Sequence, residues 1–253
     1  MLNTILSGSS DTRPLVIAHG LFGSARNWGV LSKRLSETRP VITVDMRNHG
    51  ASSWYDTHNY ENLTDDLADV IRGHGGEADL LGHSMGGKAA MLLALSQPDL
   101  VGRLIVADIS PVPYRHSQNH LIKAMRKVDL TAVKSRRDAD QQLARWIVDD
   151  GVRAFLLQSL DLKGDAPKWR LNLDVLEAEM PAIVGFPEVA GTFERATLFL
   201  TGGASDYVPA DHYPHIRTLF PSVTFRAIDG AGHWLHAENP RAFEAEVQDF
   251  LEG

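Results

Sequence analysis

Short apolar runs alternate with amphipathic segments over the first hundred residues of the chain. Four runs predict buried strands, at 15–18, 41–44, 79–82 and 104–107. Helical patterns fall between these runs, over 27–35, 63–73 and 88–96. Strands that alternate with helices at this spacing favour a mostly parallel sheet with helices on both of its faces.

The alternation stops after residue 110 and resumes near residue 190. Between these points the chain shows only helical patterns, at 121–125, 143–148, 155–160 and 173–180. Strands are predicted again at 197–200 and 223–228, and helices at 215–220 and 243–251. The sequence therefore predicts an α/β core over 1–110 and 190–253, with a helical cap over 111–189 inserted between two sheet strands.

Composition narrows the possible functions. The chain has 253 residues, no cysteine and a formal net charge of −7. Disulfides, thiol catalysis and thiolate metal sites are therefore excluded, and a nucleic-acid backbone is disfavoured as a partner. No apolar run predicts a membrane span, and the N-terminus lacks the basic start and apolar core of an export signal. We expect a cytoplasmic protein, and the sequence makes no prediction of its oligomeric state.

The segment GHSMG at 82–86 matches the pattern G-x-S-x-G where a predicted strand meets a predicted helix. In this setting the serine occupies a sharp, strained turn, so its neighbours two residues away must be small. The helix start also points backbone N–H groups towards the site, where they can stabilise an oxyanion. A glycine-rich turn with an incidental serine is the alternative, but the context favours Ser84 as a nucleophile.

A nucleophilic serine needs a general base, which follows it along the chain in this arrangement. His233 lies in the segment GAGHW at 230–234, just after the last predicted strand, and His236 is its local rival. We expect His233 at the same sheet edge as Ser84.

An oxyanion also needs a second N–H donor, from the loop after the first long strand. That loop is HGLFG at 19–23. Gly20 allows the backbone to turn, which would leave the Leu21 N–H free to act together with the Met85 N–H. A plain turn before a helix is the alternative.

Five segments together resemble the α/β-hydrolase family, most closely the YbfF-type esterases and their mitochondrial abhydrolase-domain relatives. These segments are HGLFGSARNW at 19–28, DMRNHGASS at 45–53, GHSMGGKAAM at 82–91, DISPVPY at 108–114 and AGHWLHAENP at 231–240. The resemblance implies an α/β-hydrolase fold and the hydrolysis of esters or thioesters. It implies Ser84 as nucleophile, His233 as base, Leu21 and Met85 as oxyanion donors, and a cap over 111–189 that lines an acyl pocket.

Two aspartates compete for the acid that orients His233. Asp206 follows the predicted strand 197–200, the usual position of the acid in this fold. Alignment on the Val-Pro pair of the usual G-x-x-D-x-x-V-P loop, however, puts Ser205 at that position. Asp108 ends the neighbouring strand, and the resemblance also points to the aspartate of D-I-x-P, although a turn cap is its structural alternative. We predict Asp108, with Asp206 as the alternative.

Other charged residues have mainly structural interpretations. Arg47 is expected to brace a loop through carboxylates or carbonyls, and Lys88 to pack or pair one turn beyond the nucleophile. A group of basic residues in the cap is expected to form a solvated helix face, with an anion-steering patch for a phosphorylated acyl carrier such as coenzyme A as the alternative. The group comprises Lys123, Arg126, Lys127, Lys134, Arg136 and Arg137.

No metal site or cofactor is predicted. The pairs His116/His120 and His212/His215 have helical spacing but no accompanying carboxylate cluster, and no phosphate-binding loop is present. The expected partner is a small-molecule acyl ester or an acyl-CoA-like substrate. A lyase or acyltransferase on the same scaffold, or a non-catalytic small-molecule receptor, is the alternative. Apolar cap residues expected to set the acyl preference include Phe155, Leu156 and Trp169.

Overall fold

A computed structural model describes residues 2–253, and most of their strands lie in one sheet. The strands are β1 Asn3–Ser7, β2 Leu15–Ala18, β3 Val41–Asp45, β4 Ala78–His83, β5 Val101–Ala107, β6 Leu160–Asp161, β7 Lys168–Trp169, β8 Thr197–Gly202 and β9 Val223–Ile228. The seven-stranded sheet has the order β1-β3-β2-β4-β5-β8-β9, and β6 pairs with β7 separately. In the large sheet only β1 runs antiparallel to its neighbour.

Helices make up the other regular structure of the described chain. They are α1 Gly29–Leu35, α2 Tyr60–Gly73, α3 Met85–Ser96, α4 Asn119–Arg126, α5 Arg136–Leu143, α6 Asp150–Leu157, α7 Leu173–Ala178, α8 Met180–Val184, α9 Tyr213–Leu219, α10 Leu235–Glu238 and α11 Pro240–Glu252. Short 3₁₀ turns lie at Ala25–Trp28, Pro98–Leu100, Leu130–Ala132 and Ala210–His212. None of the helices in residues 2–253 is long and apolar enough to cross a membrane.

Both faces of the sheet are covered, which explains why its strands are continuously apolar. In β2, Leu15 and Ile17 belong to a buried cluster that includes side chains of α1 and α11. Val16 and Ala18 point to the opposite face and join a cluster that includes side chains of α2 and α3. Successive strand residues alternate between faces, so a strand buried on both faces shows no polar alternation.

The edge strand β1 was not predicted from the sequence. Its residues are half-buried or exposed, and Leu6 keeps 59% of its surface accessible. The strand is held by antiparallel pairing with β3 and by the Asn3 side chain, which donates to Asp45 Oδ2 at 2.9 Å. A five-residue strand of mixed polarity resembles a surface loop in its pattern, so periodicity could not identify it.

The segment 111–189 adds no strand to the large sheet, as predicted, but two of its details differ from the prediction. Residues 144–149 form no helix, because α5 ends at Leu143 and α6 begins at Asp150. The N-cap of α6 explains this boundary. The Asp149 side chain accepts from Val152 N–H at 2.9 Å and so starts a new helix. The segment also contains the pair β6–β7, whose two-residue strands are too short to produce a pattern.

The loops that follow the parallel strands bring the predicted site residues to one edge. Ser84 follows β4, Asp108 follows β5, the loop 19–23 follows β2, and His233 lies five residues beyond β9. The carboxyl ends of parallel strands share one edge of the sheet, which is where α/β proteins place their ligand sites.

Candidate active site

Ser84 occupies a strained turn between β4 and α3. Its φ of 53° and ψ of −120° lie in a region that residues other than glycine rarely adopt. A Cβ atom at Gly82 would lie 2.3 Å from the Gly86 carbonyl oxygen, and one at Gly86 would lie 2.4 Å from the Ala18 oxygen. The glycines are therefore required by the close approach of three backbone segments. The Ser84 N–H donates to Ala107 O at 3.1 Å, which ties the turn to β5.

The structure brings Ser84, His233 and Asp108 into one hydrogen-bonded line. His233 Nε2 lies 3.1 Å from Ser84 Oγ, and His233 Nδ1 lies 2.8 Å from Asp108 Oδ2. The His233 side chain is 20% exposed, whereas that of Asp108 is fully buried. With a proton on Nδ1 directed at the carboxylate, the lone pair on Nε2 faces the serine hydroxyl. This is the arrangement in which a histidine can accept a proton from serine.

The surroundings of Asp108 distinguish it from Asp206. Asp108 Oδ1 accepts from Gly202 N–H at 3.0 Å, and Oδ2 accepts from Ser205 Oγ–H at 2.5 Å as well as from His233. Asp206 is exposed, and no hydrogen bond of its side chain occurs in residues 2–253. Ser205 was not predicted as a partner of Asp108. The sequence feature that could have identified Ser205 is the alignment that puts it at the usual position of the acid.

The turn after β2 and the start of α3 leave two backbone donors available. Gly23 N–H donates to Gly20 O at 3.0 Å and closes a turn in which Phe22 has a φ of 65°. In the described part of the chain, the N–H groups of Leu21 and Met85 have no hydrogen-bond partner. Met85 is the first residue of α3, where the helix dipole favours negative charge.

Three buried imidazoles lie beside these donors. They are His19, His49 and His58, with ring centroids 5.1 Å apart for the first two and 5.4 Å apart for the last two. His19 Nδ1–H donates to Gly20 O, and its Nε2 accepts from Met46 N–H. His49 Nδ1–H donates to Arg47 O, and its Nε2 accepts from Phe22 N–H at 3.1 Å. His49 therefore holds the residue next to Leu21 in place.

His58 completes this row of imidazoles on the side of α3. Its Nδ1 accepts from the Asn48 amide group at 3.3 Å, so its proton lies on Nε2, which donates to Met85 Sδ at 3.2 Å. Burial lowers the pKa of His58 to about 3, with the charge of Arg47 acting in the same direction. Burial, followed by the charges of neighbouring histidines, also holds the pKa of His49 well below its usual value. The rings of His49 and His58 are therefore uncharged at neutral pH, and burial lowers the pKa of His19 as well.

Aromatic rings enclose His233. The Tyr207 ring stacks on it with centroids 3.8 Å apart and planes 16° apart. On another side, His83 Nε2–H donates to the His233 carbonyl oxygen at 2.9 Å. His236, the local rival for the base, instead stacks on Trp28 at 4.3 Å. Burial, followed by the charge of His233, lowers the pKa of His236 to about 3.

A cavity of about 460 Å³ adjoins Ser84 and His233. Segment 111–189 contributes many of its lining side chains, among them Leu121, Trp146, Ile147, Val152, Phe155 and Ile183. Of the three cap residues expected to set the acyl preference, only Phe155 lines this cavity. Leu156 is fully buried on another side of α6, and Trp169 Nε1–H donates to Met125 O at 3.1 Å. Neighbouring helix residues point about 100° apart, and in α6 Phe155 faces the cavity while Leu156 packs into the core.

Arg47 and Lys88 have the bracing contacts expected of them. Arg47 forms a bidentate ion pair with Asp66, with Nε 2.6 Å from Oδ2 and Nη2 3.0 Å from Oδ1. Lys88 Nζ donates to Val184 O at 2.9 Å and to Gly185 O at 2.5 Å. Burial lowers the pKa of Lys88 to about 7. Lys88 thereby fastens the end of α8 to the core beside the cavity.

Some of the basic cap residues are already engaged within the protein. Arg126 pairs with Asp174 at 2.6 Å and also with Glu177. Arg136 donates to two backbone carbonyl groups, those of Leu157 and Leu160. The contacts of these two arginines match structural roles, so they add nothing to an anion-steering patch.

The histidine pairs considered for metal binding have other contacts. His116 Nε2 lies 3.0 Å from Tyr207 Oη, and His212 Nδ1 lies 2.9 Å from Ser110 Oγ. Within residues 2–253, no group of three or more His, Cys, Asp or Glu side chains is arranged to hold a metal ion.

Several known proteins of similar sequence or structure are named as esterases or lipases. A family model described as "Alpha/beta hydrolase family" matches residues 15–246. The chain is 41% identical over 257 residues to the sn-1-specific diacylglycerol lipase ABHD11 of Danio rerio, covering 98% of this chain and 81% of that protein. It is 36% identical over 244 residues to Esterase YbfF of Escherichia coli, covering 95% of this chain and 94% of that one. A solved structure, "Marine microorganism esterase", matches with a TM-score of 0.93 at 36% identity and covers 98% of both chains. The resemblance and the fold class expected from the motifs are confirmed.

Proposed function

The chain belongs to the α/β-hydrolase family and is an enzyme of the hydrolase type, and from that premise we propose that it cleaves carboxylic esters or acyl thioesters through an acyl-enzyme on Ser84. The observation that carries the proposal is the hydrogen-bonded line from Ser84 through His233 to Asp108. A buried carboxylate, an imidazole and a hydroxyl in this order form the arrangement that activates a serine.

Each group in the line has a defined role in the proposed reaction. His233 Nε2 takes the proton from Ser84 Oγ as the oxygen attacks the substrate carbonyl, and Asp108 stabilises the resulting imidazolium. The N–H groups of Leu21 and Met85 hold the oxyanion. His233 then gives its proton to the leaving oxygen or sulfur, and a water molecule activated by the same histidine releases the acid from Ser84.

We also propose that segment 111–189 acts as a cap whose inner side binds the acyl chain. The support is the cavity of about 460 Å³ beside Ser84, to which this segment contributes apolar side chains. An apolar cavity with a few polar groups at one end suits an acyl chain whose carbonyl carbon reaches the serine. Esters with an apolar acyl group are therefore the substrate class that the site favours.

Covalent labelling tests the nucleophile directly. A fluorophosphonate probe should modify wild-type protein at Ser84, as located by mass spectrometry, because an activated serine attacks phosphorus as it attacks a carbonyl. Ser84→Ala is the matched control and should neither be labelled nor hydrolyse p-nitrophenyl esters. An unlabelled Ser84 in correctly folded protein would refute the proposed function.

Product analysis separates hydrolysis from acyl transfer. Oxygen esters and thioesters of several acyl chain lengths should yield the free acid, because water completes the cycle. If the acyl group goes mainly to an added alcohol, the acyl-enzyme intermediate still stands as a proposal, but the protein is an acyltransferase.

A further inference from the structure

Tyr207 makes an intimate contact with the proposed base without belonging to the Ser84–His233–Asp108 line. The centroids of the Tyr207 and His233 rings lie 3.8 Å apart, and the ring planes are within 16° of parallel. This stack covers one face of the imidazole, whereas the His83 ring is tilted by 41° to it at 4.8 Å and the hydrogen bonds of His233 lie at its ring edge or backbone. Tyr207 therefore restricts the orientation of the imidazole ring, and with it the directions in which His233 can accept and donate protons.

The position of Tyr207 is fixed through its backbone and its hydroxyl. Its carbonyl oxygen accepts from Ser110 Oγ–H at 3.1 Å and from Tyr114 Oη–H at 2.6 Å. Its N–H donates to Ser205 Oγ at 3.3 Å, and Ser205 in turn donates to Asp108. The Tyr207 hydroxyl pairs with His116 Nε2 at 3.0 Å. A ring held from so many sides is a rigid surface and not a side chain that happens to lie nearby.

We propose that Tyr207 is a positioning residue that holds the His233 ring in line with Ser84 and Asp108 and stabilises its imidazolium form through the face of the phenol ring. The inference rests on the proposed function, in which His233 becomes positively charged when Ser84 loses its proton. The negative face of an aromatic ring attracts a cation that lies over it. The contact is therefore stronger in the charged state than in the neutral one, which is the property required for transition-state stabilisation.

The other titratable groups near His233 leave this role to Tyr207 and Asp108. The groups are Asp108 after β5, His83 at the end of β4, His236 in α10, His116 in the cap and the exposed Asp206 beside Tyr207. Burial lowers the pKa values of His83 and His236, so both rings are neutral when His233 is charged. Asp108 attracts the imidazolium in its plane, and Tyr207 attracts it from its face.

Two substitutions separate the ring face from the hydroxyl. Tyr207→Phe keeps the stack and loses the hydrogen bond to His116, whereas Tyr207→Leu loses the ring. The pKa of His233, followed by NMR of its imidazole carbon-bound protons, should fall by about half a unit in Tyr207→Leu relative to Tyr207→Phe. The acidic limb of kcat/KM against pH should move in the same direction, and kcat should fall by roughly three- to tenfold in the leucine variant alone.

Pentafluorophenylalanine at position 207 provides a further variant that keeps the shape of the ring. Its face is no longer negative, so the His233 pKa should fall as in Tyr207→Leu while the melting temperature stays near that of Tyr207→Phe. This variant keeps the test decisive if the leucine variant does not fold.

Two results would overturn the inference. One is an unchanged His233 pKa in both the leucine and the pentafluorophenylalanine variants. The other is a Tyr207→Phe variant in which the His233 pKa and kcat fall as far as in Tyr207→Leu, which would assign the effect to the hydroxyl. The NMR titration does not depend on turnover, so its failure is distinct from that of the proposed function, which is decided by Ser84 labelling of the wild type.

Discussion

Replacing Asp108 by asparagine tests how the acid controls His233. Asp108 Oδ1 accepts from Gly202 N–H, whereas Oδ2 faces two donors, Ser205 and His233. In Asp108→Asn the amide oxygen keeps the bond to Gly202, so the amide NH₂ group faces His233. His233 Nδ1 must then accept, which places the imidazole proton on Nε2, opposite Ser84 Oγ. A nitrogen that already carries a proton cannot take one from serine.

The magnitude follows from losing both the correct tautomer and the stabilised imidazolium. The same change in a serine protease triad lowers kcat about 10⁴-fold, which corresponds to roughly 5.5 kcal/mol of transition-state free energy. We expect a fall in kcat of about 10³- to 10⁴-fold for Asp108→Asn. The substitution hardly changes volume, so the circular dichroism spectrum should stay that of the wild type.

The assay is the steady-state hydrolysis of a short p-nitrophenyl ester, with the enzyme concentration taken from ultraviolet absorbance of the folded protein. Asp206→Asn is the matched control, and its kcat should stay within about twofold because the side chain is exposed and has no hydrogen bond in the described chain. If Asp206→Asn loses activity by orders of magnitude while folded Asp108→Asn keeps it, the acid is Asp206 and this reasoning is refuted.

Three further predictions concern residues in or behind the cavity wall. Phe155→Ala should shift the ratio of kcat/KM for long and short acyl chains towards long ones, because Phe155 lines the cavity, and an unchanged ratio would contradict the cap proposal. Its neighbour Leu156 is fully buried away from the cavity, so Leu156→Ala should keep the wild-type ratio but lower the free energy of unfolding by about 2 to 5 kcal/mol. Burial lowers the pKa of Lys88 in the folded protein from the usual 10.5 to about 7. Between pH 7 and pH 10.5 the unfolded chain therefore binds more protons than the folded protein. The free energy of unfolding should therefore rise with pH above 7 relative to Lys88→Met, by on the order of 1 kcal/mol per pH unit, and urea denaturation showing a pH-independent difference would contradict this.

The sheet and the turn at Ser84 could be predicted because their signals are local. Strands buried on both faces are continuously apolar, and the turn at Ser84 requires small residues at fixed offsets. β1 and the break at 144–149 were missed for the opposite reason. β1 depends on pairing with a distant strand, and the break depends on a capping side chain, Asp149, that leaves no trace in hydrophobic periodicity.

The preference for Asp108 over Asp206 came from its place after a predicted strand and from the resemblance, but the geometry behind it is not contained in the sequence. Asp108 reaches His233 because β5 and β8 pair with Ala107 opposite Leu200, which sets where each loop leaves the sheet. A shift of one residue would exchange the faces of the strand. Similarly, the phase of α6 decides that Phe155 and not Leu156 faces the cavity. The stacking of Tyr207 on His233 joins two separate loops and had no sequence signal.

The row formed by His19, His49 and His58 also determines where protons can travel. All six ring nitrogens are occupied, by backbone groups in the first two rings and by Asn48 and Met85 in the third. No nitrogen of one ring is bonded to a nitrogen of the next, so the row cannot relay a proton although it consists of imidazoles. In the proposed reaction, protons therefore move through His233 and not through this row.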